Sequence, residues 1–495
     1  MIQQLDSVPG WDICIIGGGA TGLGTALDAA SRGLKTVLFE QHDFAKGTSS
    51  RSTKLVHGGV RYLQQGNIKL VMEALKERGL LLRNAPHLVH NQKFVVPNYK
   101  WWEKPFYGIG LKIYDKMAGK LDLGRSQFLS KEETLQLAPT LDPEDLKGSV
   151  LYHDGQFDDA RLAISIAQTA AKQGATVLNY FPVNGLLKMQ KKVCGVWVKD
   201  ALTGKEYEVK SKVVINATGV FTDSIMKMDD PKHKNIISPS QGIHLIVDKD
   251  FLPGDTAIMI PRTDDGRVLF AVPWYDKIVL GTTDTPVDTV SAEPVPLQEE
   301  IEFILKHIGR YLTKDPQLSD VKSMFAGLRP LVKGKKKKTS GIARDHLIYI
   351  ADTGLITITG GKWTTYRKMA EDVVDIAIER SGLLRSTCIT KELLLNGHDQ
   401  PVPPSSVSAL TNDQLQKWVH RAVQEEMCMT VEDFLSRRTR QLLLDANVAM
   451  EMAPLIANLM SKELNKDDPD SYRGWIKEQI NNFNSVAACY KPATG

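Results

Sequence analysis

The chain has 495 residues, of which 42% are hydrophobic and 24% charged, and its formal net charge is +4. This length allows two or three domains with large cores, and the composition is that of an ordinary soluble globular protein. The net charge is too small for this length to imply nucleic-acid binding.

The cysteines and the apolar runs indicate the compartment. Five cysteines lie far apart, with neither a C-x-x-C pair nor metal-ligand spacing, so we expect reduced intracellular thiols and no metal site. The start of the chain lacks the basic and apolar blocks of a signal peptide, and no apolar run approaches the roughly 18 residues of a spanning helix. The sequence therefore predicts a cytoplasmic protein, or one that lies on a membrane without crossing it.

Residues 11–40 have the pattern of a dinucleotide-binding βαβ unit. The apolar run at 12–16 predicts a buried strand, 20–31 a helix, and 36–39 a second strand. A structural βαβ unit without a ligand is the alternative.

Glycines stand where this unit would bind a dinucleotide. Gly17, Gly19 and Gly22 have G-x-G-x-x-G spacing. They permit a tight turn, let backbone N–H groups approach a pyrophosphate, and allow close packing of helix and strand. Glu40 follows the second strand, where a carboxylate accepts hydrogen bonds from ribose hydroxyls.

The segment from Gln41 to Leu63 is rich in Gly, Ser and Thr and carries four cationic residues, Lys46, Arg51, Lys54 and Arg61. Such a segment can wrap a cofactor and supply hydroxyl and N–H donors. A solvated loop is the alternative.

Two amphipathic segments follow. Residues 68–82 have apolar side chains at helical spacing, and residues 93–97 predict a strand. The segment from Lys100 to Lys120 combines aromatic, aliphatic and lysine residues. This composition is typical of an interfacial membrane anchor, and equally of an ordinary helix with its lysines in water.

The middle of the chain predicts further strands of the dinucleotide-binding region, followed by a separate antiparallel sheet. Asp158 and Asp159 precede a capped helix at 160–172. Further strands are predicted at 176–178, 193–199, 206–210 and 213–219, the last ending in an Ala217–Gly219 turn. In two-dinucleotide-binding flavoproteins such a turn approaches the cofactor pyrophosphate. Consecutive strands at 243–247, 256–260, 268–273 and 278–282 predict an antiparallel sheet in a second domain, with a helix at 298–311.

The last part combines a glycine turn with a helical region. The segment 324–330 leads to the basic run 333–338, which is usually a solvated loop. Strands at 347–351 and 355–359 precede Gly360, Gly361 and Lys362, which open a helix at 368–380. Backbone N–H groups there would stabilise the negative N1–C2=O edge of a reduced flavin. A Pro/Ser-rich linker is predicted at 401–408, and mostly helix at 411–482.

Several motifs in this order carry a family resemblance: IGGGATGLGTALDAASRG, TSSRSTKLVHGGVRYL, DDARL, INATG, VPW, GTTD, GLRPL and GGKWTTYRKMAED. The chain resembles the bacterial, aerobic and respiratory FAD-dependent glycerol-3-phosphate dehydrogenases, of the flavoprotein superfamily that includes D-amino acid oxidase. The resemblance implies an α/β fold with a two-dinucleotide-binding, Rossmann-like FAD domain, an antiparallel-sheet substrate domain and a C-terminal helical domain.

The domain bounds that follow are discontinuous. Residues 1–90, 150–235 and 330–385 would form the FAD-binding domain. Residues 91–149 and 236–329 would form the substrate or cap domain, and residues 390–495 the helical domain.

The resemblance also assigns site residues. It implies catalytic roles for His244, Arg329, Lys362 and Arg61, and substrate contacts for Arg61, Tyr62, Thr283 and Arg344. Besides Gly17, Gly19, Gly22 and Glu40, the cofactor-binding set is Thr48, Ser49, Ser50, Lys54, Leu55, His57, Val183, Ala217, Gly219, Gly361, Lys362, Thr364 and Thr365.

Side-chain chemistry agrees with these assignments. Arginines match phosphate oxygens bidentately, although each cation alone is more often part of a surface ion pair.

His244 is the candidate base, because free histidine titrates near pH 6.5. A lone histidine in an apolar strand is otherwise usually a core residue. Arg329 could instead orient the alkoxide electrostatically.

The implied reaction is oxidation of sn-glycerol 3-phosphate to dihydroxyacetone phosphate, with hydride transfer to noncovalent FAD. Electrons would pass to a membrane quinone, through peripheral contact with the inner face of the plasma membrane. An oxidase of glycerol phosphate or of an amino acid, using oxygen directly, is one alternative. A non-catalytic FAD-stabilised binding or tRNA-modification partner is another. The sequence leaves the oligomeric state open, with a homodimer as one option.

Overall fold

The computed structural model describes residues 1–59, 67–119, 123–333, 346–384, 386–401, 404, 406–464 and 469–492. Within these residues the chain forms two β-sheets, helices packed against them, and a C-terminal helical region. The predicted site residues Arg61, Tyr62 and Arg344 lie outside the described residues, as does the basic run at 334–338.

The strands, in chain order, are β1 (Trp11–Ile16), β2 (Thr36–Phe39), β3 (Leu55–Val56), β4 (Val89–Pro97), β5 (Gln127–Leu129), β6 (Ser149–Phe157), β7 (Thr176–Leu178), β8 (Val183–Met189), β9 (Lys192–Lys199), β10 (Glu206–Asn216), β11 (Ile237–Asp248), β12 (Thr256–Ile260), β13 (Leu269–Trp274), β14 (Lys277–Gly281), β15 (Thr285–Pro286), β16 (Ser323–Val332), β17 (His346–Ile350) and β18 (Ile356–Gly360).

The helices are α1 (Ile2–Ser7), α2 (Ala20–Ser31), α3 (Ile68–Asn84), α4 (Glu103–Ala118), α5 (Lys131–Leu137), α6 (Asp159–Lys172), α7 (Thr222–Asp229), α8 (Gln298–Gly309), α9 (Tyr366–Ser381), α10 (Asn412–Glu426), α11 (Val431–Asp433), α12 (Gln441–Leu444), α13 (Ala446–Glu463) and α14 (Pro469–Ala488). A π-helical turn, Phe434–Arg438, continues α11.

The first sheet has the strand order β17-β18-β10-β1-β2-β7, and β9 and β8 extend it beside β10. The strands β18, β10, β1, β2 and β7 run parallel. Helices α2, α6 and α9 contribute to one core with this sheet. Because the carboxyl ends of parallel strands share one edge, the segments after β1, β2, β10 and β18 meet there.

The second sheet has the order β15-β11-β14-β13-β12-β4-β6-β3, with β16 beside β11 and β5 beside β6. The prediction of an antiparallel sheet holds for most pairs, but β12 and β4 run parallel. The sheet includes β3 and β6, which the predicted bounds place largely in the FAD-binding domain. The domain division itself stays a prediction.

The C-terminal helices pack directly against the second sheet. Their core includes Phe434 and Leu442 together with Trp274 of β13 and Phe325 of β16. Val407 is 1% exposed in the same core, so the end of the predicted Pro/Ser linker is packed rather than solvated. The α/β architecture with a C-terminal helical region is as predicted.

Candidate active site

The turn after β1 requires glycine at two positions. Gly17 has φ +108°, and a Cβ atom there would lie 2.7 Å from the carbonyl oxygen of Ala217. A Cβ atom at Gly22 would lie 1.8 Å from the carbonyl oxygen of Gly17. Both distances are below van der Waals contact, so the tight turn and the close approach of α2 to β1 depend on these glycines.

A cavity of about 350 Å³ lies at the carboxyl edge of the first sheet. Most of the predicted cofactor-binding residues line it: Gly17, Gly19, Glu40, Thr48, Ser49, Val183, Ala217, Gly219, Gly361 and Lys362. The N-terminus of α2, which begins at Ala20, opens onto the same space. A helix N-terminus is favourable for an anionic pyrophosphate.

Glu40 closes one end of this cavity. Its Oε2 atom accepts a hydrogen bond from the Gly18 N–H at 2.6 Å, and its Oε1 atom accepts one from the His42 N–H at 2.9 Å. Burial raises the pKa of Glu40, even though these two bonds favour the carboxylate. A buried acid held beside a glycine turn fits the ribose end of a dinucleotide.

Lys54 does not line the cavity. Its ammonium donates to both Asp159 carboxylate oxygens, at 2.8 and 2.9 Å, and to the Ser50 carbonyl oxygen at 2.7 Å. The side chains of Lys54 and Asp159 are fully buried. This lysine therefore holds its own loop together, and a cofactor contact for it stays a prediction.

Acidic residues also pair with Lys46 and Arg51, the other cations in the described part of this segment. Lys46 pairs with Glu293 at 2.9 Å and with Glu432 at 2.6 Å. Arg51 pairs with Glu293 at 2.5 Å. The segment is thus anchored by ion pairs rather than solvated.

The remaining predicted cofactor residues lie off the cavity wall. Gly22 lies beneath the glycine turn, and Ser50, Leu55, His57, Thr364 and Thr365 are outside the lining. Two contacts nevertheless join their segments: the Trp363 indole donates to the Ser49 carbonyl oxygen at 2.8 Å, and the Thr364 hydroxyl donates to the His57 carbonyl oxygen at 3.4 Å.

The segment 48–53 runs along β16, a strand of the second sheet. The Thr48 hydroxyl donates to the Leu328 carbonyl oxygen at 2.5 Å. The Arg51 carbonyl oxygen passes so close to Gly327 that a Cβ atom there would lie 2.7 Å away. Farther on, Thr53 Oγ1 lies 2.9 Å from His244 Nε2. One short segment therefore joins the cavity wall to His244.

His244 lies in β11, between Gly281 of β14 and Phe325 of β16. Its side chain is buried, and its Nδ1 atom has no hydrogen-bond partner among the described residues. Burial, and then the charges of Lys54 and Arg329, lower the pKa of His244 well below its usual value. Free histidine titrates near pH 6.5, so this lowering of the pKa favours the neutral imidazole at physiological pH.

Arg329 lies in β16, and both terminal nitrogens of its guanidinium donate hydrogen bonds. Its Nη2 atom donates to the Thr282 hydroxyl at 3.1 Å and to the Thr283 carbonyl oxygen at 3.0 Å, and its Nη1 atom donates to the Gln241 carbonyl oxygen at 3.2 Å. Asp284 lies 3.4 Å away and partly offsets the charge. The guanidinium orientation is therefore fixed before any ligand binds.

The hydroxyl of Thr283 is already used within the protein. It donates to Glu300 Oε1 at 2.8 Å and accepts from the Ile243 N–H at 3.0 Å. The residue is 1% exposed. In this structure Thr283 orients Arg329 through its carbonyl group, and a direct substrate contact for it stays a prediction.

Thr53 and Asp159 were missed as site residues. The sequence shows Asp159 only as part of a helix cap, although two consecutive acids before a helix are more than capping needs. Thr53 lies inside the recognised TSSRSTKL motif without a distinguishing signal of its own.

Comparison with known proteins agrees with this geometry. Residues 12–367 match the family of FAD dependent oxidoreductases, and residues 406–471 match the C-terminal domain of alpha-glycerophosphate oxidase. The chain belongs to the FAD-dependent oxidoreductase family, and its cofactor is FAD.

Within this family the similarity is to glycerol-3-phosphate dehydrogenases. The human mitochondrial enzyme is 41% identical over 527 residues, covering 94% of this chain and 72% of the relative. The Schizosaccharomyces pombe enzyme is 37% identical over 560 residues, covering 94% and 86%.

Solved structures agree. The glycerol-3-phosphate dehydrogenase from Bacillus halodurans, complexed with FAD, has a TM-score of 0.79 and 29% identity, covering 99% of this chain and 97% of that one. The alpha-glycerophosphate oxidase from Mycoplasma pneumoniae, with FAD bound, has a TM-score of 0.59 and 19% identity, covering 75% and 95%, and shares the fold. The predicted fold class, family resemblance and cofactor are confirmed.

Proposed function

We propose that this protein oxidises sn-glycerol 3-phosphate to dihydroxyacetone phosphate. The observation that carries the proposal is the segment 48–53, which lines the cofactor cavity at Thr48 and Ser49 and contacts His244 through Thr53. A base and a flavin site held by one segment are what alcohol oxidation requires. The similarity to glycerol-3-phosphate dehydrogenases supports this choice of alcohol.

FAD supplies the acceptor for the hydride that leaves C2 of the substrate. His244 takes the proton of the C2 hydroxyl, because its ring contacts the segment that lines the cofactor cavity and its neutral form can accept a proton. Arg329 provides a fixed positive charge near the oxygen that becomes negative as this proton leaves. The C2–H and O–H bonds break, the C2=O double bond forms, and two electrons leave with the hydride.

Recognition of the substrate phosphate is assigned to cations. Lys362 lines the cavity, and Arg329 lies on the neighbouring strand β16. By resemblance, Arg61 and Arg344 complete the set, although both lie outside the described residues. Arginines are suited to this role because their planar forks match phosphate oxygens.

Anaerobic addition of sn-glycerol 3-phosphate to the purified yellow protein tests the reaction. We expect loss of the flavin absorbance band and formation of dihydroxyacetone phosphate. Glycerol, sn-glycerol 1-phosphate and a D-amino acid are the controls. Bleaching by dithionite but not by sn-glycerol 3-phosphate would contradict the proposal and favour the non-catalytic alternative.

A glycerol-3-phosphate oxidase is the second candidate, favoured by the match of residues 406–471 to the C-terminal domain of alpha-glycerophosphate oxidase. An oxidase returns its electrons to oxygen. One hydrogen peroxide per substrate in air, with no rate gain from a quinone or dye acceptor, would favour the oxidase over the dehydrogenase.

We propose further that electrons pass to a membrane quinone through peripheral contact with the inner face of the plasma membrane. No described helix is both long and apolar enough to cross a bilayer. The supporting feature is the Trp101 surface, defined as Trp101, Trp102 and Ile113 with Lys112 and Lys116. Trp101 is 83% exposed and Ile113 is 47% exposed, and exposed aromatics beside lysines suit a lipid interface.

Liposome flotation tests this surface. Replacing Trp101, Trp102 and Ile113 with serine should abolish binding to anionic liposomes and leave dye-linked oxidation unchanged. The matched control is Met189→Ser with Leu202→Ser, which removes exposed apolar side chains at the far end of the first sheet. Unchanged flotation of the triple variant would show that the membrane contact lies elsewhere.

A further inference from the structure

We propose that Thr53 is a positioning residue that fixes His244 in one tautomer, in which Nε2 carries the proton and Nδ1 is unprotonated. The inference rests on the proposed function, since it concerns the same reaction. It adds a residue and a specific atom that the motif pattern does not assign.

The ring of His244 is restrained on three sides. Phe325 stacks on it, with 4.9 Å between ring centroids and 22° between planes. The backbone of Gly281 lies so close that a Cβ atom there would be 2.4 Å from His244 Cδ2. Thr53 Oγ1 contacts Nε2 at 2.9 Å. The imidazole therefore has little freedom to rotate, and the Thr53 contact decides which nitrogen carries the proton.

The cost of an unpaired N–H group indicates the direction of that hydrogen bond. Nδ1 of His244 has no partner among the described residues. A buried N–H group without an acceptor costs more than a buried lone pair without a donor. The favoured arrangement has Nε2–H donating to the Thr53 hydroxyl, which leaves an unprotonated Nδ1 to accept a proton.

Asp159 holds Thr53 in place from both sides of the segment. Its Oδ2 atom accepts from the Ser52 hydroxyl at 2.7 Å and from the Ser52 N–H at 3.1 Å. Its carboxylate also accepts from Lys54 Nζ, at 2.8 and 2.9 Å. Because Asp159 is the first residue of α6, the neighbours of Thr53 are tied to a packed helix. The backbone of Thr53 therefore cannot move away from the ring without breaking these bonds.

Among the described residues, the charged groups that act on the His244 ring are both cationic. Lys54 lies in the same segment as Thr53, and Arg329 lies on β16. Asp159 offsets the first and Asp284 part of the second. Phe325 and Gly281 supply no charge from the flanking strands. The uncharged ring is thus favoured by its surroundings, and the choice between its two neutral tautomers falls to the Thr53 hydroxyl.

Nitrogen chemical shifts of labelled histidine in the flavin-loaded protein test the tautomer directly. The signals of His244 are those absent from a His244→Gln variant. We expect an Nε2–H imidazole in the wild type and in Thr53→Ser. In Thr53→Val, which keeps the shape without the hydroxyl, we expect averaged shifts from two tautomers. A single Nε2–H tautomer in Thr53→Val would overturn the proposal.

Anaerobic flavin reduction by sn-glycerol 3-phosphate is the second readout. The reduction rate constant of Thr53→Val should fall about 2- to 12-fold, as for a lost neutral hydrogen bond. The substrate dissociation constant should stay nearly constant, and Thr53→Ser should restore the rate. An equal loss in Thr53→Ser and Thr53→Val would contradict a role for the hydroxyl.

Controls separate the possible failures. Thr169→Val removes a buried hydroxyl in α6 that bonds to the Ser165 carbonyl oxygen, and it should leave both readouts unchanged. If Thr53→Val loses its flavin, Thr53→Ala removes the same hydroxyl with less bulk. If sn-glycerol 3-phosphate fails to reduce the wild type, the proposed function fails, while the chemical shifts still decide the tautomer.

Discussion

Arg438 donates two hydrogen bonds to the carboxylate of Asp43, at 2.7 and 2.8 Å, across 395 positions of sequence. Arg437 adds a third bond to the same carboxylate at 2.6 Å. Asp43 lies between His42 and Lys46, which line the FAD cavity. The C-terminal helical region therefore holds part of the cofactor site, although it contributes none of the glycine motifs.

Replacing Arg438 with methionine should weaken both the fold and FAD binding. Removing a partner costs about 3–5 kcal/mol where it leaves a buried charge unpaired; Asp43 keeps its bond to Arg437, so we expect a loss below that range. We expect a lower unfolding free energy and a larger FAD dissociation constant, measured by fluorescence during reconstitution of apoprotein. The matched control is Arg310→Met, which removes a similar two-bond pairing with the more exposed Asp264 and should change the unfolding free energy far less, because water screens exposed ion pairs. Equal losses in the two variants would contradict this view.

Acid should destabilise the protein through the same cluster. Burial alone would raise the pKa of Glu432, but the charges of Arg437 and Lys46 lower it to about 2 from 4.5. Since the folded-state value is the lower one, the stabilisation is present above pH 4.5 and is lost as the pH falls toward 2.

The difference in unfolding free energy between wild type and Glu432→Gln should therefore be large at pH 7 and shrink at pH 3. Chemical denaturation at the two values measures it. Glu144→Gln, at an exposed position, serves as the control. A difference that stays constant with pH would show that the ion pairs do not stabilise the fold.

Substituting alanine for Gly22 should prevent formation of the FAD site. The added Cβ atom would lie 1.8 Å from the Gly17 carbonyl oxygen, a distance that only backbone movement can relieve. We expect purification without bound flavin, or no folded protein at all. Gly10→Ala adds a Cβ atom with nothing within 4 Å and should keep its flavin. Normal flavin content in Gly22→Ala would be incompatible with the close packing of α2 on β1.

Arg329→Ala should lower kcat/KM for sn-glycerol 3-phosphate. A charge-assisted hydrogen bond contributes about 1.5–3 kcal/mol, which corresponds to a loss of roughly 10- to 150-fold. Arg329→Lys should recover only part of the activity, since one ammonium cannot replace the bonds to Gln241, Thr282 and Thr283. Wild-type kinetics in a folded, flavin-loaded alanine variant would exclude Arg329 from the reaction.

Local patterns predicted the bounds of several elements in both sheets well. The bounds of α2, β2, β7 and β12 agree with the sequence expectation. They could be predicted because apolar periodicity and glycines at element ends are local features of the sequence. The strands predicted at 206–210 and 213–219 form one strand, Glu206–Asn216. Ser211 and Lys212 continue the alternation of buried and exposed positions between them.

Long-range partners could not be predicted. Lys46 belongs to a segment that was predicted to wrap a cofactor, and it lines the cavity. Its ion pair with Glu432, 386 positions away, could not be predicted. Lys54 binds Asp159, 105 positions away. The pKa of His244 likewise depends on burial and on two cations from other parts of the chain. A cationic side chain in a Ser/Thr-rich segment has the same local pattern whether it meets a phosphate or a buried acid.

The contact of Arg437 and Arg438 with Asp43 also has a consequence for biosynthesis. The glycine turn and Glu40 are translated before Asp43 or close to it, whereas the two arginines follow Asp43 by 394 and 395 positions. Until the arginines are translated, Asp43 lacks its guanidinium partners, and the loop that contains His42 and Lys46 has no contact with the C-terminal helices. We therefore expect a nascent chain to exchange FAD freely and to retain it only once the C-terminal helices have docked.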